Sequence, residues 1–230
     1  MSFTLDEVVP WGRSFDEYVG MFALSGSDLG GKILGACDGP ASFNAEGKGK
    51  GCRIISCDPI YQFSTLDISQ RIQMTYPVIL KQLHRNLSDY RWDKIASPEE
   101  LGRIRMAAME RFLDDFPRGK KEGRYIPAGL PDLPFPDRSF DLALCSHFLF
   151  TYSEHLSLDF HLQAILELCR VARKVRIFPL VDLGGKKSPH LDPVVSELKK
   201  KGCEVSLVRV DYEFQRGANW FIRIISPSIG

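Results

Sequence analysis

The feature that most constrains this chain is an alternation of short apolar runs with segments of helical spacing. Lys32-Ile-Leu-Gly-Ala, Arg53-Ile-Ile-Ser-Cys, Phe140–Cys145 and Lys174-Val-Arg-Ile-Phe-Pro each read as a short buried strand. Arg124-Tyr-Ile-Pro-Ala is a further candidate strand. Helical segments separate them: a polar stretch through Gly51, Leu158–Val171 with apolar residues at 158, 162, 165, 166 and 168, and Pro193–Lys201 ended by Gly202. Strand–helix–strand order predicts right-handed crossovers and a doubly wound, mostly parallel sheet, covered on both faces. Glu204–Val210 and Trp220–Ile225 alternate as two strands that close the chain as an antiparallel pair. The fold class expected is therefore α/β.

Residues 61–122 interrupt the alternation with a helical excursion. Ile68, Ile72, Tyr76, Ile79, Leu80 and Leu83 recur at three- and four-residue intervals, as do Leu101, Ile104, Ala108 and Phe112. Ser97-Pro98-Glu99-Glu100 is a helix start, with Ser97 as cap, Pro98 in the first turn and Glu100 at the capping-box position. Its basic residues, Lys81, Arg85, Arg91, Arg103, Arg105 and Arg111, are interleaved with acids, as on a solvated face. Long insertions near an active face also act as lids, and a homodimer contact through this insertion is the main rival. At 230 residues the chain fits one domain. The expected organisation is an N-terminal cap over 1–30, in which Leu5–Leu24 is broken at Pro10-Trp11-Gly12, and this insertion at about 61–122.

Composition removes several function classes. A formal net charge of +1 gives no global pull toward nucleic acid or an anionic membrane. The longest apolar stretch, Leu142–Phe150, is interrupted by Ser146 and His147 and is too short to span a bilayer. Met1–Val9 carries Asp6 and Glu7 and lacks a signal-peptide pattern. The six cysteines show no Cys-x-x-Cys pair, so no metal site is expected, and reduced thiols in a cytoplasmic protein are.

Ligands of open α/β sheets bind at the carboxyl ends of the strands, near the point where strand order reverses. Three turns there carry signals. Gly35-Ala-Cys-Asp-Gly-Pro-Ala-Ser follows the first strand, and its small residues let a ligand approach main-chain N–H groups; a ligand-free turn reads equally well. Asp58 ends the second strand nineteen residues past Gly39, near the offset at which an acid reaches ribose hydroxyls, although an acid before proline is also a turn former. The third is Leu133-Pro-Phe-Pro-Asp-Arg-Ser-Phe-Asp-Leu-Ala-Leu-Cys-Ser-His.

That last stretch resembles the fourth-strand region of class I S-adenosylmethionine-dependent methyltransferases, and the other two turns agree with it in order and spacing. The resemblance runs from about Lys32 to Ile225, including the antiparallel final pair. It implies a Rossmann-like methyltransferase fold with S-adenosylmethionine as cofactor. Gly35, Ala36, Cys37, Asp38 and Gly39 would wrap its methionine portion, and Asp58, Pro59 and Ile60 its ribose. Gly129, Leu130 and Ser146 would line the adenine and strand-four side.

The chain departs from the family at its first motif, acid-x-Gly-x-Gly-x-Gly. In one alignment Cys37 replaces the middle glycine and Ile33 the acid; shifted by two, Gly35 replaces the acid and Cys37 and Ala41 two glycines. Asp38 is the neighbouring acid that compensates. Gly129 stands where the family often has an aspartate near the adenine amino group. A cysteine in such a turn, at a helix N-terminus, is expected to have a lowered pKa and to react before Cys145 or Cys169.

His147, just past the fourth strand, is the candidate base for an acceptor proton, or a histidine that shapes the pocket. Arg13, in Trp11-Gly12-Arg13-Ser14, would pair with the cofactor carboxylate or sit in a surface turn. Tyr61 and Phe63 would line the site or serve the core; His155 and His161 read as structural. The Asn-Pro-Pro-Tyr signature of amide and exocyclic-amine methylation is replaced by Ser146-His147-Phe148. The function expected is methyl transfer to a small-molecule acceptor. The alternative is a non-catalytic nucleotide-binding or regulatory domain on the same fold, and the lack of Gly-x-Gly-x-x-Gly argues against a dehydrogenase.

Overall fold

The computed structural model describes residues 9–227. Leu5 and the rest of 1–8, the start of the expected N-terminal cap, lie outside the described residues.

Among the described residues, β1 (Lys32–Ala36), β2 (Arg53–Cys57), β3 (Tyr125–Ile126), β4 (Phe140–Ser146), β5 (Ala172–Phe178), β6 (Glu204–Arg209) and β7 (Trp220–Ile225) form one sheet. Their order is β3-β2-β1-β4-β5-β7-β6. Pairing is parallel from β3 to β5, and β7 runs antiparallel to both β5 and β6. The chain is therefore an α/β protein whose sheet is mostly parallel with an antiparallel end. β7 inserts between β5 and β6 because Phe221, Ile222 and Ile224 demand cover on both faces, whereas β6, with Glu204 and Leu207 exposed, tolerates the edge.

Period-two alternation distributes the strands between two cores. Leu34 and Ala36 of β1, with Ala143 and Cys145 of β4, pack against α6 (Leu158–Val171) and α7 (Leu191–Lys200). Ile33, Leu142 and Leu144 face the other way, onto α1 (Phe15–Phe22) and α3 (Phe43–Gly49). A four-residue α2 (Gly26–Leu29) leads into β1. Ser14 starts α1 with a capping box to Glu17.

The excursion between β2 and β3 is helical: a 3-10 turn at Pro59–Gln62, then α4 (Thr65–Arg85) and α5 (Pro98–Lys121), which pack on each other. Ser97 caps α5 through the Glu100 N–H, but the box is not reciprocal, because the Glu100 carboxylate accepts from the Ala96 N–H at 2.6 Å. The expected strand Arg124-Tyr-Ile-Pro-Ala shrinks to two residues, since Pro127 has no N–H for the ladder. Arg124 still joins the sheet through its carbonyl, which accepts from Ser56 N–H, while its guanidinium forks onto Asp115 at 2.7 and 2.8 Å. No helix of the described residues is long and apolar enough to cross a membrane.

Candidate functional site

The carboxyl ends of β1, β2 and β4 meet where the chain, having built β1, β2 and β3 toward one edge, crosses back to lay β4 on the other side of β1, and a cavity of about 760 Å³ opens there. Its floor begins at Cys37, whose φ of 57° turns the chain off β1 and whose N–H donates to the Cys57 carbonyl at 2.8 Å. Gly39 follows with φ 53°, and the position of a Cβ there meets no atom within 4 Å. Asp58, at the end of β2, ties this loop down: one carboxylate oxygen accepts from the Gly39 N–H and the other from the Ile60 N–H, both at 2.9 Å. Burial raises the Asp58 pKa, against those two hydrogen bonds. The Tyr61 hydroxyl completes the tie by donating to the Gly39 carbonyl at 2.7 Å.

Asp38 folds back against β1 and accepts from the Tyr18 hydroxyl at 2.8 Å and the Ser56 hydroxyl at 2.7 Å. A Cβ on Gly35 would stand 1.8 Å from this carboxylate, so the glycine at 35 makes room for Asp38. Burial pushes the Asp38 carboxyl up to about 7, and the nearby Asp58 adds to the rise.

His147 leaves β4 in a left-handed conformation, φ 51°, with its N–H donating to the Phe178 carbonyl at 2.7 Å. Its Nδ1 lies 2.9 Å from the Ser146 hydroxyl. Burial, then the charges of Arg13 and Arg105, hold the imidazole well below its ordinary pKa and therefore neutral at pH 7. Two left-handed non-glycine residues, Cys37 and His147, thus stand at the ends of adjacent strands β1 and β4, and such conformations concentrate at functional sites.

The arginines form the far wall. Arg13 donates to the Trp11 carbonyl at 3.2 Å, and burial with the neighbouring Arg105 lowers its pKa to about 10. Arg105, on α5 and 1 % exposed, pairs with Glu17 of α1. Burial alone would raise the Glu17 carboxyl, but Arg105 and Arg13 hold it at about 2. Its second oxygen accepts from the Tyr212 hydroxyl at 3.0 Å, so one carboxylate joins α1, α5 and the β6–β7 loop.

Of the residues singled out in the sequence, Arg13, Cys37, Asp38, Gly39, Asp58, Pro59, Ile60, Gly129, Leu130, Ser146 and His147 line this cavity. Gly35 and Ala36 lie beneath it, the latter fully buried. Phe63 reaches the wall and is 51 % exposed, whereas Tyr61 is core. His161 is buried between the carbonyls of Ser157 and Leu149. The expectation for Cys37 is corrected. The helix it was to begin starts only at Phe43, so no helix terminus acts on the thiol. The Cys145 thiol beside it, burial and the Asp58 carboxylate all push its pKa up.

Sequence reasoning missed Tyr18, Arg105, Tyr152, Tyr212 and Phe214, which also line the cavity. Arg105, expected on a solvated face, is instead buried, and it had a signal: it sits four residues after Leu101 and three before Ala108, a cation inside an apolar helical stripe. The others come from helices and a loop that only folding brings together.

No family model matches the sequence. Strand order and the antiparallel end define a Rossmann-like fold of the kind that methyltransferases have. Mitomycin 7-O-methyltransferase is similar in structure with a TM-score of 0.50 at 13% identity, over 93% of this chain and 54% of that one. Magnesium protoporphyrin IX methyltransferase from Synechocystis PCC 6803, solved with S-adenosylmethionine bound, has a TM-score of 0.48 at 13% identity, over 93% and 78%. At these identities the likeness is one of fold. In sequence the chain is 34% identical over 216 residues to "uncharacterized protein MJ0045" of Methanocaldococcus jannaschii, 94% of this chain and 95% of that protein. The chain belongs to the family of that archaeal protein.

Proposed function

We propose that this chain is an enzyme that transfers a methyl group from S-adenosylmethionine to a small-molecule acceptor. The observation that carries the reading is Asp58, which anchors the Gly39 loop with one hydrogen bond to each oxygen and keeps lone pairs for a vicinal diol. The cavity fits the cofactor in two further ways. Open space above Gly39 lets a ligand approach the main chain, and the buried Arg13 Nε has no partner. Asp58, with Pro59 and Ile60 beside it, would hold the ribose; Arg13 would hold the carboxylate. Asp38 would hold the amino group on the lone pairs that Tyr18 and Ser56 leave. Cys37, Gly129, Leu130 and Ser146 supply the remaining contacts.

When bound, the cofactor would supply an electrophilic methyl group for an acceptor lone pair, with sulfur as the leaving atom. The protein's part is mainly to align the acceptor. His147, neutral and held at Nδ1 by Ser146, takes an acceptor proton at Nε2 where one must leave. Residues 9–30 and the 61–122 insertion act as parts of one domain that close over the site. The apolar residues Leu66, Met74 and Val78, exposed on α4, are the surface through which copies would pair. A Met74→Glu variant should then sediment as a smaller species than wild type. The unbridged cysteines suit a reducing, cytoplasmic setting.

Calorimetric titration with S-adenosylhomocysteine tests the reading. Saturable binding that weakens in Asp58→Ala is expected; no binding by the wild-type protein overturns it. The side chain of Cys37 in the cofactor loop favours the second reading, a binding domain without turnover, which would show the same binding and no methyl transfer to any acceptor.

A further inference from the structure

The cavity continues beyond the groups that face the cofactor. A second part of it is walled by Trp11, Ile79, Leu83, Tyr90, Leu183 and Phe214, one apolar cluster drawn from the N-terminal segment, α4 and three loops. Such a wall suits a ring-sized apolar body. Among the described residues, four buried side-chain polar atoms lack a hydrogen-bond partner, and three belong to this cavity: Arg13 Nε, Arg105 Nε and Thr151 Oγ1. Buried groups of this kind are ordinarily satisfied, and each one left unpaired is costly. Their concentration in one cavity points to a ligand that brings hydrogen-bond acceptors.

Charge narrows the class. Of the two guanidiniums, only Arg105 is paired with Glu17, Arg13 acting on that carboxylate through its charge alone, and the charged groups acting on His147 are these two cations. The acids that line the cavity are already engaged: Asp38 with Tyr18 and Ser56, Asp58 with the Gly39 and Ile60 N–H groups, and Asp67 with Ser64 at the start of α4. S-adenosylmethionine, with its sulfonium and ammonium against one carboxylate, adds a further net positive charge. A cationic amine would enter against like charge, whereas an anionic oxygen meets an arginine N–H suited to it.

We propose that the apolar part of the cavity receives a small acid with an apolar, ring-bearing body, its carboxylate or phenolate oxygen held by Arg105 and the Thr151 hydroxyl. The proposal rests on the methyltransferase reading and names its acceptor class. Arg13 stays with the cofactor.

The test uses three probes with one ring body: 2-naphthoate, 2-naphthamide and 2-naphthylmethylamine, which are anionic, neutral and cationic. Each is titrated calorimetrically into the full chain, with and without saturating S-adenosylhomocysteine. Naphthoate should bind at least tenfold tighter than the amide, the amine should give no measurable binding, and added salt should narrow the difference. Thr151→Val should weaken naphthoate several-fold with S-adenosylhomocysteine affinity unchanged. Arg105→Lys, which keeps the charge and the Glu17 partner but moves the donor, should weaken naphthoate and spare the amide. The acceptor class is overturned if naphthoate does not bind, if the amide or amine binds as tightly, or if neither variant changes naphthoate affinity. Naphthoate selectivity without S-adenosylhomocysteine binding would uphold the anion site and overturn the methyltransferase reading instead.

Discussion

Replacing Asp38 with asparagine should stabilise the protein at alkaline pH and leave it nearly unchanged in acid. Asp38 is 7 % exposed, and burial lifts its carboxyl to about 7. In the unfolded chain the same group titrates near 3.9. Between those values the folded state holds a proton that the unfolded state has released, so unfolding becomes easier as pH rises. At about 1.4 kcal/mol per pH unit, three units amount to about 4 kcal/mol, complete above pH 7. Asparagine has the same shape and no titration. Its amide oxygen can accept from one of the Tyr18 and Ser56 hydroxyls and its NH₂ can donate to the other, at a loss of about 1 kcal/mol for the poorer pair. The variant should therefore exceed wild type by about 2–4 kcal/mol at pH 8 and match it within about 1 kcal/mol at pH 4.5. Urea unfolding of both proteins by circular dichroism, at pH 4.5, 6, 7 and 8, measures this; groups such as Glu17 cancel in the difference. A stability difference that stays constant across the series would refute the reasoning.

Three further outcomes are expected. Asp58→Ala should weaken S-adenosylhomocysteine by about 1.5–3 kcal/mol in calorimetry with the folded state retained, and affinity equal to wild type would remove Asp58 from the site. Cys37 should react with a thiol reagent at pH 7.5 more slowly than Cys52, which is also partly exposed, since burial and the neighbouring Cys145 raise the Cys37 pKa further; peptide mapping that finds Cys37 modified first would contradict this. Gly35→Ala should cost about 2–4 kcal/mol by driving a methyl into the Asp38 carboxylate, and much less in an Asp38→Ala background. Equal costs in the two backgrounds would show that Asp38 is not what the glycine accommodates.

The strand runs were legible because a parallel sheet covered on both faces needs unbroken apolar segments. Arg53–Cys57, Leu158–Val171 and Trp220–Ile225 keep the boundaries that their patterns indicate. The loop after β1 and Asp58 were legible for a related reason: small residues and an acid at strand ends mark where a backbone must bend and a polar group must face outward. The place of β7 between β5 and β6 was not legible, because hydrogen-bond partners are chosen by burial across the whole sheet and not by local pattern. Nor was the direction of the Cys37 pKa, which depends on how far away the next helix begins and on a thiol from β4. Asp38 looked like an acid offered whole to a ligand, yet each of its oxygens already accepts one hydrogen bond, from Tyr18 and Ser56, partners twenty and eighteen residues away. The arginine wall is the clearest case. Arg13, Glu17, Arg105 and Tyr212 span two hundred residues of chain, and the potential that neutralises His147 exists only where folding desolvates them together. The sequence by itself determined the alternation of elements and the turns that line the cavity; tertiary structure alone decided the charge those turns look out upon, because burial sets both the distances and the dielectric through which charges act.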